Sequence, residues 1–174
     1  MKKIFMISPI VILLCFASGC QDKESMKVQA EIEEQNIELI RNFFAAIDKG
    51  NIGIYEEIFA PDAAFYSPSG ISEPLFQDHE IETKKTYSQV FPDLAHTIEE
   101  IIAKGDKVIV RTIARGTHLG DHAGIPVTGN KIEWSAIRIF QIDNGKIVRM
   151  WEETDLLGLF LQIGMELKPR EEEK

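Results

Sequence analysis

Apolar and polar residues recur along this chain with two periods, helical first and strand-like second, and the change falls at Phe91-Pro92-Asp93. Ile37, Ile40, Phe44 and Ile47 follow helical spacing and predict a first helix over roughly 30–49, ended by Gly50. Asn51 is placed to cap a short second helix carrying Tyr55, Ile58 and Phe59, which Pro61 stops. A brief strand over 63–66 runs into the turn cluster Ser67-Pro68-Ser69-Gly70 and then a loop reaching Asp78, a candidate lid. From Asp78 to about Val90 a polar helix with Ile81 and Tyr87 brings the chain back to the core.

Four runs rich in β-branched residues follow, over 95–104, 107–118, 131–142 and 146–154. Gly105-Asp106 joins the first two and a longer glycine-rich loop the next. Asn144-Gly145 joins the last two and is the strongest hairpin signal, since this pair supplies the two positive φ values of a type I′ turn. A last helix begins near Leu156, and the charged tail from Lys168 frays. Helices followed by strands predict an α+β domain in which N-terminal helices pack on a strongly curved antiparallel sheet. Such a sheet forms a cone, and strand side chains with one covering helix cannot fill it, so a ligand-sized pocket is expected.

The N-terminus follows a different pattern. Lys2 and Lys3 precede an apolar run from Ile4 to Phe16, then Ala17, Ser18, Gly19 and Cys20. This is the pattern of an export signal, too short for a permanent span. It resembles the lipobox of bacterial lipoproteins, although Ala17 stands where leucine is usual. That resemblance implies cleavage before Cys20, lipidation of Cys20, and anchoring to a membrane facing the periplasm or cell exterior. Ordinary secretory cleavage with a free thiol is the alternative. The expected organisation is therefore a signal over 1–19, lipidated Cys20 with a tether over 20–29, a folded domain over 30–167 and a tail over 168–174. With Cys15 removed and Cys20 acylated, the domain contains no disulfide and depends on packing.

Charge narrows the partners. The chain has 28 acidic and 19 basic side chains and a net charge of -9. Losing the signal removes lysines and no acids, so no basic face for a phosphate backbone is expected and nucleic acid is excluded as a partner.

Several short motifs lie between Phe91 and Gly164: Phe91-Pro92-Asp93-Leu94, Gly105-Asp106-Lys107-Val108 with Arg111, and Gly116-Thr117-His118-Leu119-Gly120. Gly124-Ile125-Pro126 with Thr128-Gly129, Asp143-Asn144-Gly145-Lys146-Ile147, and Trp151 ahead of Asp155 complete the set. Together these resemble the SnoaL-like polyketide cyclases, or ester cyclases, of the nuclear-transport-factor-2-like (cystatin-like) superfamily. The resemblance implies an aldol-type cyclase or isomerase that needs no metal and no redox cofactor, acting on a small apolar carbonyl compound, and a homodimer formed through the open face of the sheet. Because that superfamily also holds binding modules, a non-catalytic ligand-binding lipoprotein is the alternative. Polyketide cyclases work in the cytoplasm, which sets an exported chain apart from a polyketide-tailoring role.

Ring closure of this kind removes a proton beside a carbonyl and returns one to the new alkoxide, a task for a carboxyl group in an apolar pocket. Asp155, between the last strand and the last helix, is the candidate acid/base, and the resemblance also suggests a catalytic aspartate there. It stands equally well as the cap of that helix. His118 is a candidate assistant, with a buried structural histidine as the alternative. Arg111 and Arg138 are strand cations needing partners, for which Glu153 or Asp155 would serve. Strand alternation puts Trp151, Glu153 and Asp155 on one face. Tyr66, Phe91, Trp134 and Trp151, with Arg111, Arg138 and Glu153, are the candidate lining of the pocket. His118, Asp121 and His122 do not make a metal site, since glycines place them in a loop with no third strong ligand at a recognisable spacing. Nucleophile-elbow, phosphate-loop and dinucleotide motifs are absent from the sequence.

Overall fold

The computed structural model describes residues 9–67 and 75–168. The turn cluster at 68–70 and most of the candidate lid fall outside the described residues, as do the first eight residues of the export signal and the tail from 169.

Helix α1 (Pro9–Ile47) runs unbroken through Cys20 and the segment expected as a tether. It docks on the body of the domain from Glu33 onward. Glu33 Oε1 accepts the Gly105 backbone N–H at 2.9 Å, and Asn36 Nδ2 donates to the Gly105 carbonyl at 3.4 Å, pinning the helix to a hairpin turn of the sheet. Beyond these, Ile40, Phe43 and Phe44 are buried.

Helix α2 (Ile54–Ile58) leads directly into strand β1 (Phe59–Tyr66). Asn51 does not cap α2: Gly53 holds that position, without a side-chain hydrogen bond. Pro61 lies inside β1 rather than between elements, at an irregularity of the pairing between Phe59 and Ala64 where its missing N–H costs no ladder bond. Strand β2 (Leu75–Phe76) and helix α3 (Gln77–Val90) follow. The four long strands are β3 (Ala95–Lys104), β4 (Lys107–Thr117), β5 (Lys131–Asp143) and β6 (Lys146–Thr154), and helix α4 (Leu156–Gln162) closes the domain.

The sheet is open, in the order β2-β1-β6-β5-β4-β3. Every pairing is antiparallel except β1 with β6, which is parallel, so the sheet is mixed rather than wholly antiparallel. That exception follows from chain order, because β1 and β6 come from opposite ends of the domain and no hairpin constrains their direction. Asn144 and Gly145 have φ of 49° and 73°, as the type I′ turn between β5 and β6 demands.

Alternation along β4 and β5 puts Val108, Val110, Thr112 and Ala114 beside Ile132, Trp134, Ala136, Arg138 and Phe140 on the inner, buried face. Under α1 this face meets an aromatic cluster in which Phe43 makes edge contacts with Tyr55, Phe59 and Phe140. Burying each such ring contributes about 2–3 kcal/mol, enough to hold a sheet without disulfides. The outer face carries an apolar row crossing five strands in register, Ile102–Ile109–Ile139–Trp151–Tyr66. This is the face on which the sequence reading places a homodimer.

After β4 the chain turns under α3, where the Leu119 and Gly120 amides both donate to the Val90 carbonyl. A Cβ at Gly120 would lie 2.8 Å from the Gln89 carbonyl oxygen and 3.0 Å from Val90 Cα, both of them backbone atoms that cannot step aside. Gly120→Ala is therefore expected to destabilise the domain by about 1–3 kcal/mol. A thermal melt of the variant checks this, and an unchanged midpoint would show that the contact gives way freely.

Candidate active site

A cleft of about 400 Å³ opens between α3 and the inner face of the sheet. Helix α3 supplies Glu80, Thr83, Lys84 and Tyr87, and the strands supply His96, Trp134, Arg138, Glu152 and Thr154, with Leu156 at the end. Glu80, Lys84 and Tyr87 fall at i, i+4 and i+7, one face of the helix, which explains how a mostly polar helix aims acid, base and phenol at the same space.

Arg138 lies at the centre of the site. Its Nε donates to Glu152 Oε2 at 2.6 Å and its Nη1 donates to Thr112 Oγ1 at 3.0 Å, with the Phe44 ring 5.5 Å away. The Arg138 side chain is 6% exposed and that of Glu152 16%, so water screens this pair weakly. Burial is the largest single influence on Glu152 and favours its neutral form. Arg138 and Lys84 outweigh it and hold the carboxyl below its ordinary value. Glu152 is thus held as an anion.

Glu80 contrasts with it. This residue is only 5% exposed and has no hydrogen-bond or ion-pair partner among the described residues. Burial lifts its pKa; Lys84 pulls it down and the Glu152 charge pushes it up, with a net rise. Two carboxyl groups in one cleft are therefore pushed in opposite directions, a pattern that separates a proton donor from a fixed anion. Tyr87 is also shifted upward by burial.

Of the residues singled out in the sequence, the structure brings Trp134 and Arg138 to this cleft, while Phe91 lines a smaller hollow beside it. The others lie elsewhere. Asp155 is exposed and caps α4, accepting the Gly158 N–H at 2.7 Å, which is the alternative weighed for it. His118 is fully buried outside the cleft, its Nδ1 2.9 Å from Thr128 Oγ1. Tyr66 and Trp151 stack on the outer face with ring centroids 5.5 Å apart. Arg111 lies on that face beside Glu99 and Glu100, and Glu153 is exposed there opposite Ile137.

Glu153 is therefore not the partner of Arg138, and the reason is a bulge. Ile142 pairs with Ile147 but Gln141 pairs with Arg149, so one extra residue enters β6 at Val148. Side-chain parity reverses there: Ile147, Met150, Glu152 and Thr154 face inward, and Trp151 and Glu153 are turned out. The sequence reading missed Glu80; the i, i+4, i+7 spacing of Glu80, Lys84 and Tyr87 is the signal that points to it, but a charged residue on a polar helix reads first as solvated.

Residues 38–163 match the family model of the SnoaL-like polyketide cyclases, and the chain belongs to that family. Among solved structures it is similar to IdmH from Streptomyces antibioticus, with 27% identity over 74% of this chain and 97% of that one and a TM-score of 0.66. It is also similar to TsrD from Streptomyces laurentii, with 25% identity over 75% and 96% of the two chains and a TM-score of 0.66. AclR from Streptomyces galilaeus, at 22% identity over 82% and 91% and a TM-score of 0.69, bears on the fold alone. No curated protein matches the chain in sequence.

Two stability measurements follow from the charges. Glu152→Ala strands a buried guanidinium and is expected to cost about 3–5 kcal/mol in urea unfolding, whereas an Arg138→Met, Glu152→Leu double variant costs much less. Equal losses would mean that the pair is solvated. For Glu80 the folded pKa is raised, so folding disfavours its ionised form: there is no penalty below its unfolded pKa, and stability is lost as pH rises through the folded value. Glu80→Gln should therefore melt like the parent in acid and higher than the parent at neutral pH. A gain that is constant with pH would contradict the shift.

Proposed function

We propose that the chain is a cofactor-independent cyclase or isomerase of aldol type, which moves protons on a small apolar carbonyl compound held in the inner cleft. The observation carrying this reading is Glu80: a buried carboxyl without a hydrogen-bond or ion-pair partner among the described residues, in a cleft also lined by Trp134, Tyr87 and Leu156. A raised pKa keeps its proton available to higher pH, which suits donation to a carbonyl or alkoxide oxygen. The Arg138–Glu152 pair supplies fixed charge around which a polar carbonyl can orient. Family membership supports the reaction class. The Lys2-to-Cys20 pattern supports an exported lipoprotein, anchored through acylated Cys20 and facing the periplasm or cell exterior.

The bicyclic ketone 2-tetralone is a suitable probe, since enzymatic removal and return of an α-proton in D₂O replaces it by deuterium. The full chain is expected to accelerate this exchange over buffer, and Glu80→Gln to lower the rate by about 10²–10⁴ while still binding the ketone. Binding without accelerated exchange would instead identify the non-catalytic ligand-binding lipoprotein. For the anchor, Cys20→Ser should move the protein from the membrane to the soluble fraction of fractionated cells, and retention on the membrane would defeat the lipid assignment.

A further inference from the structure

We propose that His96, held by Asp48, is the group that takes the proton from carbon, while Glu80 supplies one to oxygen. This rests on the reading of the cleft as an acid/base site and adds to it a dyad formed by residues from opposite ends of the helical and strand halves of the chain.

Asp48 follows the last turn of α1, and His96 is the second residue of β3. Both carboxylate oxygens of Asp48 serve this one histidine. Oδ1 lies 2.6 Å from the ring Nδ1, and Oδ2 accepts the His96 backbone N–H at 2.9 Å. With the ring held at Nδ1 and the backbone N–H held by the same carboxylate, the imidazole is oriented, and donation from Nδ1 leaves the lone pair on Nε2. That nitrogen has no hydrogen bond among the described residues. His96 lines both the cleft and the adjoining hollow of about 120 Å³, with the Phe44 ring packed 5.3 Å away. Dyads of this form hold an imidazole in the tautomer of a base and stabilise the imidazolium once it forms.

The charged and titratable groups around the ring are Asp48 just after α1, His79, Glu80, Lys84 and Tyr87 from α3, Arg138 from β5 and Glu152 from β6. Burial, the largest influence, lowers the His96 pKa. The Asp48 bond opposes it, Arg138 and Lys84 reinforce it, and the ring is left neutral and able to accept. The step is then balanced without another reactant. The α C–H bond breaks as N–H forms at Nε2, the electron pair passes to the carbonyl oxygen, and the Glu80 carboxyl proton becomes the new O–H. Imidazolium and carboxylate remain, and reversal restores both.

The test uses the full-length chain, 2-tetralone in D₂O, and ¹⁵N spectra of the imidazoles. His96→Gln is expected to slow exchange by about 10²-fold or more. His96→Ala should do the same and recover on addition of imidazole, which a purely structural role would not permit. The spectra should show a neutral His96 protonated at Nδ1, and Asp48→Asn should abolish that preference. Exchange at the parental rate in folded His96→Gln, or loss in His96→Ala that imidazole does not restore, overturns the proposal. So does loss confined to Glu152→Gln, which would place the proton acceptor there. Parental exchange in Glu80→Gln with loss in His96→Gln would remove Glu80 from the mechanism and leave the dyad standing, and the converse pattern would do the opposite.

Discussion

A guanidinium buried against a curved sheet sets the terms for everything around it. Arg138 occupies an inward position of β5 between the apolar Ala136 and Phe140, and it is tolerated because Glu152 and Thr112 meet it from the flanking strands. This one cation therefore ties three strands together and fixes an anion in the cleft. The same pair then acts on the groups facing it. The Glu152 charge helps to keep the Glu80 proton on, and Arg138 disfavours a second positive charge on His96. Glu152 and Arg138 thus favour the neutral forms of Glu80 and His96 respectively.

The concavity that houses this pair has a covalent origin in chain order. Hairpin turns at Gly105-Asp106 and Asn144-Gly145 force β3 with β4 and β5 with β6 into antiparallel pairs, and the twist of the long strands curls them over α1. Helix α3 then spans the open side. Its C-terminal end is joined to the loop after β4 through the Val90 carbonyl, so the Glu80 face is held against the sheet rather than free to swing. Hydrophobic packing beneath α1 supplies the rigidity, and the polar groups sit at its margin, where Trp134 and Tyr87 add aromatic walls to the cleft.

The strands and α3 were legible because period and turn chemistry agree there. The β-branched runs and Asn144-Gly145 predicted β3 to β6 nearly to the residue, and Asp78 to Val90 marked α3. The site was harder to read, for identifiable reasons. Alternation grouped Trp151 and Glu153 on one face, whereas Asp155 lies past the end of β6 as the cap of α4; which face the pair occupies is decided by the bulge at Val148, and a single unpaired residue leaves no mark in the hydrophobic pattern. Arg138 was recognisable as a cation on an apolar face in need of a partner; the same bulge moved that partner from Glu153 to Glu152. The Asp48–His96 contact joins residues 48 apart, beyond the reach of any local periodicity. Asp155 carried both its roles in one motif, and the amide of Gly158 took the carboxylate.

Burial and the neighbouring Glu152 charge together hold the proton on Glu80. Titrating the side-chain carboxyl of Glu80 by ¹³C resonance, in protein labelled at glutamate and assigned through Glu80→Gln, measures this directly. The expected midpoint lies clearly above that of an exposed glutamate and falls back when Glu152 is replaced by glutamine. A midpoint at or below the ordinary glutamate value would contradict it.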